Sequence, residues 1–259
     1  MKDAPLVSVI MPTYNSAEFI GAAIQSVQNQ TYLNWELFVI DDASTDATFA
    51  LVEDFISLDS RIKLFQNAKN AGAGASRNTG IKAAKGSFIA FLDADDLWMP
   101  EKLVVQVNFM LKNNLAMSFS SYRLMTETGQ LLPEIVESLP ELSYKKLLRS
   151  NYIGNLTGMY NADKIGKIYS PLLRKRQDWG LWLSILEKAG SALGIQQPLA
   201  YYRLRKNSIS NNKTALLKYN FQIYNRVLDY SFLKSCKYMS RFLWEHFMVK
   251  NKQVKTLNK

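Results

Sequence analysis

FIAFLDADDLWMP, residues Phe88 to Pro100, runs an apolar, strand-like segment straight into three carboxylates, Asp93, Asp95 and Asp96. Crowded carboxylates repel one another and resist desolvation unless positive charge lies among them. Asp93 and Asp95, one residue apart at a strand exit, can offer oxygens to a hard cation, and such a cation can in turn hold a diphosphate. The bland reading is a solvated loop capping the next helix.

Outward from this stretch the pattern alternates. Residues 6–11, 35–40, 61–65 and 87–92 read as strands. Residues 16–30, 45–58 and 74–86 carry apolar residues at helical spacing, with Ser16 expected to cap the first of these helices. Strand alternating with helix predicts βαβ units, a mostly parallel sheet and an α/β fold. The near-continuous apolar strands fit a sheet buried on both faces. In open α/β sheets ligands bind beyond the carboxyl ends of the strands. MPTYN, DDASTD and DADD each follow a strand, so all three polar clusters fall on one sheet edge. Beyond Pro100 a helix over 101–113, an apolar run and a turn at Thr128–Gly129 lead into a mixed α and β half. Residues 212–248 read as helical.

Composition narrows the function. The chain has 259 residues, 47% of them hydrophobic, enough for a sizeable packed core. One cysteine and one histidine exclude a disulfide within the chain, a cysteine metal cluster and a multi-histidine centre. The opening residues carry too short an apolar run for a signal peptide, and no stretch reaches membrane-spanning length, so a cytoplasmic protein is expected. The net charge of +10 is uneven: residues 203–259 hold 13 Lys/Arg against two acids, and the rest is nearly neutral. Such asymmetry points to an acidic partner or surface for the C-terminus.

Further constellations refine the chemistry. Asp41 or Asp42 can accept hydrogen bonds from a uracil N–H or a ribose hydroxyl, or cap the helix that begins near Thr45. Pro12 and Tyr14 offer a face for a base to stack on. NAGAGASRNTG (70–80) fails as a dinucleotide fingerprint, because its glycines are misspaced and it follows the third strand. Its small residues instead suit close packing of a helix on the sheet, and Arg77 within it is either a cation under a nucleotide or half of a structural ion pair. In RKRQDWGLWLSIL (174–186), Trp179, Trp182, Leu183 and Leu186 share a helix face, with Asp178 at its start as helix cap or general base. YYRLRKNSIS (201–210) is a basic loop suited to phosphate or to solvent.

Taken together, VSVIMPTYN, VIDDASTD, ASRNTGI, FIAFLDADD and RKRQDWGLWL resemble the family 2 glycosyltransferases of the GT-A fold over about residues 5–210. RKRQDWGLWL with YRLRKNSIS further resembles bacterial surface-polysaccharide enzymes of the teichuronic-acid-synthesis type. The resemblance implies a GT-A domain over 1–210, with a nucleotide-binding half (1–100) and an acceptor half (101–210), then a basic helical segment over 211–259. Tyr14 and Asp42 would hold a uracil, helped by Pro12 and Arg77, while Asp93 would meet the ribose and Asp95 an Mg²⁺ or Mn²⁺ ion. Asp178 matches the base that deprotonates an acceptor hydroxyl in the inverting members. Many relatives carry histidine in the Y-R-x-H loop where this chain has Arg205. Arg203 and Arg205 are then the expected diphosphate contacts, since arginine binds such groups bidentately.

The partners that the resemblance implies are a UDP-linked nucleotide-sugar donor and a glycan or polyprenyl-diphosphate-linked acceptor. A sugar-nucleotide-binding module without catalysis would have no reason for an acid at 178. A nucleic-acid binder would leave the acids at the sheet edge unexplained, so no nucleic-acid partner is expected. Nine aromatics among the 13 cations of 203–259 suggest an interfacial helix on the anionic inner face of the plasma membrane. The alternative is that those aromatics pack on the catalytic domain while the lysines face water.

Overall fold

The computed structural model describes residues 4–205 and 213–256. The first half alternates as the sequence predicts: β1 (Val7–Thr13), α1 (Ile20–Gln28), β2 (Trp35–Asp41), α2 (Thr48–Leu58), β3 (Ile62–Gln66), α3 (Ala73–Ala83) and β4 (Phe88–Phe91). There follow β5 (Leu97–Trp98), α4 (Lys102–Lys112), β6 (Met117–Met125), β7 (Leu131–Val136), β8 (Glu141–Ser143), α5 (Tyr144–Leu147), β9 (Met159–Asn161) and α6 (Ala162–Ile165). The chain continues through α7 (Gln177–Ala189), β10 (Ser191–Arg203), α8 (Lys213–Gln222), α9 (Phe232–Met248) and β11 (Val254–Thr256).

The sheet runs β11-β7-β6-β9-β4-β1-β2-β3, with β10 alongside β6 and paired to β5 and β8. Strands β4, β1, β2 and β3 are mutually parallel, and β10 is parallel to β6. Residues of β1 alternate between two cores: Ile10 faces one with Trp179 and Trp182, and Val9 and Met11 face the other with Ile24 and Val52. Two-sided burial is why these strands read as continuous apolar runs rather than as alternation. The small residues of α3 do what their size suggests. A Cβ on Gly80 would stand 2.7 Å from Ile10 Cγ2 and 2.8 Å from Ile40 Cδ1, so only glycine lets α3 lie this close to β1 and β2.

Two local expectations change. Ser16 does not cap α1 with its side chain; its hydroxyl turns back to the Tyr14 carbonyl at 3.1 Å, and α1 starts at Ile20 after a turn closed on the Ser16 carbonyl. The basic C-terminal segment is helical but ends as a strand: β11 pairs antiparallel with β7, Val254 opposite Val136. Its aromatics divide. Tyr224 and Phe242 are buried against Trp179, at ring distances of 5.7 and 5.6 Å, whereas Phe232, Trp244 and Phe247 face outward. Among the described residues no helix is long and apolar enough to cross a membrane. Residues 206–210 of the basic loop after β10 lie outside the described residues.

Candidate active site

The charge that accompanies the acids of residues 93–96 is arginine. β5 follows the acids directly and pairs antiparallel with the end of β10, Tyr201 opposite Leu97. That pairing delivers Arg203 and Arg205 to the carboxylates. The Arg203 backbone N–H donates to Asp96 Oδ1 (2.9 Å), its Nε to the Asp95 carbonyl (2.7 Å) and its Nη1 to the Glu127 carbonyl (2.8 Å). Arg205 Nη1 donates to Asp95 Oδ2 at 3.1 Å. Both guanidiniums lie over the buried Phe19 ring, at 5.1 and 4.6 Å. From the opposite side Arg77, buried on α3, donates through Nη2 to Asp93 Oδ1 at 2.6 Å. Arg77 thus forms an ion pair with Asp93. It also keeps two buried donors, Nε and Nη1, without a partner.

These cations do not quench the cluster. Burial, then the charge of Asp93, pushes the Asp95 carboxyl above its ordinary range despite Arg205. Burial, then Asp95 and Asp93, pushes Asp96 well above it. Excess negative charge on hard oxygens fits a divalent cation. No group of three His, Cys, Asp or Glu side chains converges among the described residues, so most ligands to such an ion would be diphosphate oxygens and water. The donor set therefore suits Mg²⁺ or Mn²⁺ held at Asp95 together with a nucleotide.

The other sequence-predicted residues sit nearby on the same edge. Asp42 accepts from Asn67 Nδ2 (2.7 Å), Ala71 N (2.9 Å) and Gly72 N (2.7 Å), which folds the 67–72 loop around the end of β2. A carboxylate has about four lone-pair sites, so about one remains for a ligand. Asp42 does not cap α2; Asp46 does the nearest equivalent work, accepting from Thr48 N at 3.0 Å. Pro12 is buried within β1, and Tyr14 just beyond the strand is 47% exposed, leaving its ring free for contact. Thr13 Oγ1 and Asp41 Oδ1, on paired residues at the ends of β1 and β2, are buried without partners. Orphaned buried groups at a sheet edge call for an outside partner, a polar ligand or an ordered water.

Asp178 is tied to the same region through residues 151–155, a segment the sequence did not single out. Arg176, with φ of 66°, turns the chain into α7, and Asp178 sits in its first turn without forming a side-chain cap. Its Oδ2 instead accepts from Asn151 Nδ2 at 2.8 Å. Four positions on, Asn155 Nδ2 donates to both oxygens of Asp93 at 3.0 and 3.1 Å. One short segment, 151–155, therefore ties the acid on α7 to the acids after β4. Arg174 Nη1 adds a further tie, donating to Asn70 Oδ1 at 3.0 Å.

The model of glycosyl transferase family 2 matches residues 8–160, more than half of the chain. The chain belongs to glycosyl transferase family 2. TuaG of Bacillus subtilis, named for teichuronic acid biosynthesis, is 38% identical over 231 residues, covering 89% of this chain and 92% of TuaG. WfgD of Escherichia coli, a UDP-Glc:α-D-GlcNAc-diphosphoundecaprenol β-1,3-glucosyltransferase, is 41% identical over 222 residues, covering 85% of this chain and 86% of WfgD. Among solved structures, S. aureus TarS 1–349 in complex with UDP-GlcNAc superposes with a TM-score of 0.72 at 22% identity, over 95% of this chain and 74% of that one. PcManGT of Pyrobaculum calidifontis, a mannosyltransferase in complex with GDP-Man and Mn²⁺, gives 0.68 at 17% identity, over 97% and 72%. This family 2 member is a glycosyltransferase with the GT-A fold. The family match ends at residue 160, so Asp178, Arg203 and Arg205 lie beyond it, while 89% of the chain aligns with TuaG.

Proposed function

We propose that this glycosyltransferase moves a sugar from a UDP-linked donor, with inversion, to a growing bacterial surface polysaccharide or its polyprenyl-diphosphate-linked precursor. The observation that carries the reading is the 151–155 segment, whose Asn155 holds Asp93 and whose Asn151 holds Asp178. It links a half-buried carboxylate to the acids that would face the donor. Residues 1–100 form the donor half and 101–210 the acceptor half. The names of TuaG and WfgD, and the UDP-GlcNAc bound by TarS, favour a UDP-sugar and an envelope glycan.

The chain's own groups supply most of the chemistry. Tyr14 stacks on the uracil, Pro12 shapes that face, and the remaining acceptor site of Asp42 takes the base N–H. Asp93, fixed by Arg77 and Asn155, orients the ribose. Asp95 would hold Mg²⁺ or Mn²⁺, which when bound neutralises charge on the leaving diphosphate as a Lewis acid. Arg205 is the diphosphate contact; Arg203 shapes the loop that presents it, since its own guanidinium is spent on backbone carbonyls. Asp178 takes the proton from the acceptor hydroxyl as that oxygen attacks the anomeric carbon opposite the departing diphosphate. A positioned base of this kind contributes ~10²–10⁴-fold.

Asp178→Asn tests the reading. It keeps the shape and the Asn151 contact but cannot accept a proton. With the nucleotide sugar that a donor panel selects, transfer should fall by ~10²-fold or more while donor affinity stays near normal. Full transfer with a lowered melting temperature would make Asp178 a structural residue.

The protein also docks on the anionic inner face of the membrane through the outward face of α9, in this reading. Leu233, Lys237, Ser240, Arg241, Trp244 and Phe247 share that exposed face. Arg149, Arg241 and Trp244 also line an open recess of about 350 Å³. Basic and aromatic residues on one exposed helix face suit the headgroup region.

A further inference from the structure

After α9 the chain makes a 3-10 turn, Lys250–Gln253, and then joins the sheet as β11. This strap is pinned on both sides. Upstream, Glu245 is buried, accepts from Tyr152 and pairs with Lys146. Downstream, Gln253 and Glu137 exchange bonds, Glu137 N to Gln253 O at 2.8 Å and Gln253 Nε2 to Glu137 O at 3.0 Å. Between those anchors Lys250 points inward and donates through Nζ to the Asn151 carbonyl. Asn151 is thereby clamped. Its carbonyl is held by Lys250, its Nδ2 holds Asp178, and its Oδ1 accepts from Ile153 N at 3.2 Å.

The ammonium lies in the electrostatic neighbourhood of Asp178 and Arg176. Burial, then the charge of Arg176, draws Lys250 down to about 8, and the charge of Asp178 opposes the fall. Its hydrogen bond nevertheless goes to the Asn151 carbonyl. A lysine bonded directly to a carboxylate would lower that carboxylate's basicity. Bonded one residue away, it fixes the partner's orientation and leaves the carboxylate's lone pairs to the acceptor.

We propose that Lys250 is a positioning residue for sugar transfer: carried on the C-terminal strap, it clamps Asn151 against Asp178 and so aligns the base with the acceptor hydroxyl. The inference rests on the reading of Asp178 as the base. Misplacing a reacting group by about an ångström can cost ~10²-fold, whereas on the donor side Asp42 is held by Ala71 N and Gly72 N, and Asp93 keeps its ion pair with Arg77 on α3, away from the strap.

The test compares Lys250→Met, Lys250→Arg and Asp178→Asn in the full-length protein. UDP-glucose serves as donor and a short-chain lipid diphosphate of GlcNAc as acceptor, with UDP-glucose binding and melting temperature measured in parallel. Lys250→Met should lower kcat by ~10-fold or more, leave UDP-glucose affinity unchanged and move the melting temperature by only a few degrees. Lys250→Arg should restore much of the rate. The Asn151 side-chain amide resonances, assigned by NMR, should shift in both Lys250→Met and Asp178→Asn. Wild-type kcat in Lys250→Met, an equal loss of donor affinity, or an unmoved Asn151 amide would overturn the clamp. If this substrate pair gives no wild-type turnover, the Asn151 amide decides alone. Full transfer in Asp178→Asn with a responsive Asn151 amide would sink the base and leave the clamp standing.

Discussion

Asp95 shows how much a single side chain is asked to balance. It is half-buried, pushed up by burial and by Asp93, and touched by Arg205 at 3.1 Å. A residue poised this way gains from a divalent cation and tolerates arginine in its place. Asp95→Ala should therefore abolish the Mn²⁺-dependent part of UDP binding, read by calorimetry with and without EDTA, and with it sugar transfer. Unchanged metal dependence in that variant would remove Asp95 from the metal site. Arg205 would then act on the diphosphate without exchanging partners. Asp93, the neighbouring acid, is held instead by two residues far apart in the chain, Arg77 and Asn155.

At the level of elements, α4 carries a different tension. Lys102 opens the helix fully buried, with Gln106 Oε1 at 2.6 Å and the Trp98 ring at 4.3 Å, and no carboxylate pairs with it among the described residues. Burial draws it down to about 7. Between that value and the ordinary lysine range the unfolded chain holds the proton and the folded chain does not, so stability rises with pH across the window. Chemical denaturation from pH 7 to pH 10 should show a gain of roughly 1–4 kcal/mol in the wild type. Lys102→Met should flatten that slope, and an unchanged slope would place the titration elsewhere. The βαβ order, the sheet edge and the acid cluster were legible because hydrophobic period and strand-end position are local properties. The core face of α7 was legible for the same reason: Trp179, Trp182, Leu183 and Leu186 are all buried. The arginine partners were half legible. Arg77, Arg203 and Arg205 stood out as cations, but the pairing of Arg203 and Arg205 depends on β5 meeting β10, and that of Arg77 on α3 packing beside the end of β4, contacts between distant segments. Asn151, Asn155 and Lys250 gave no signal, since an amide in a loop or a lysine in a basic tail acquires meaning only from what folding places beside it.

Across the whole molecule the C-terminal segment has two faces with different energetics. Burying Tyr224 and Phe242 against Trp179 contributes ~1.5–3 kcal/mol per side chain, more than the ~1 kcal/mol an anionic surface offers each lysine. The inner face therefore stays on the domain, and only the outward residues are available to lipid. Liposome sedimentation should show binding that rises with anionic lipid, falls with salt and weakens when Lys234, Lys237 and Arg241 become Gln. Equal partition to neutral and anionic vesicles would leave α9 as packing alone. β11 has a separate consequence for handling the protein. It covers the hydrogen-bonding rim of β7, so the outermost strand on that side is three residues of the chain's own tail, VKT. Clipping the chain after Gln253 would bare LLPEIV, a longer and more apolar rim, as a template for other chains. Such a clipped sample should elute from size-exclusion as concentration-dependent oligomers where the intact chain does not, so proteolysis near the C-terminus would be read first as aggregation.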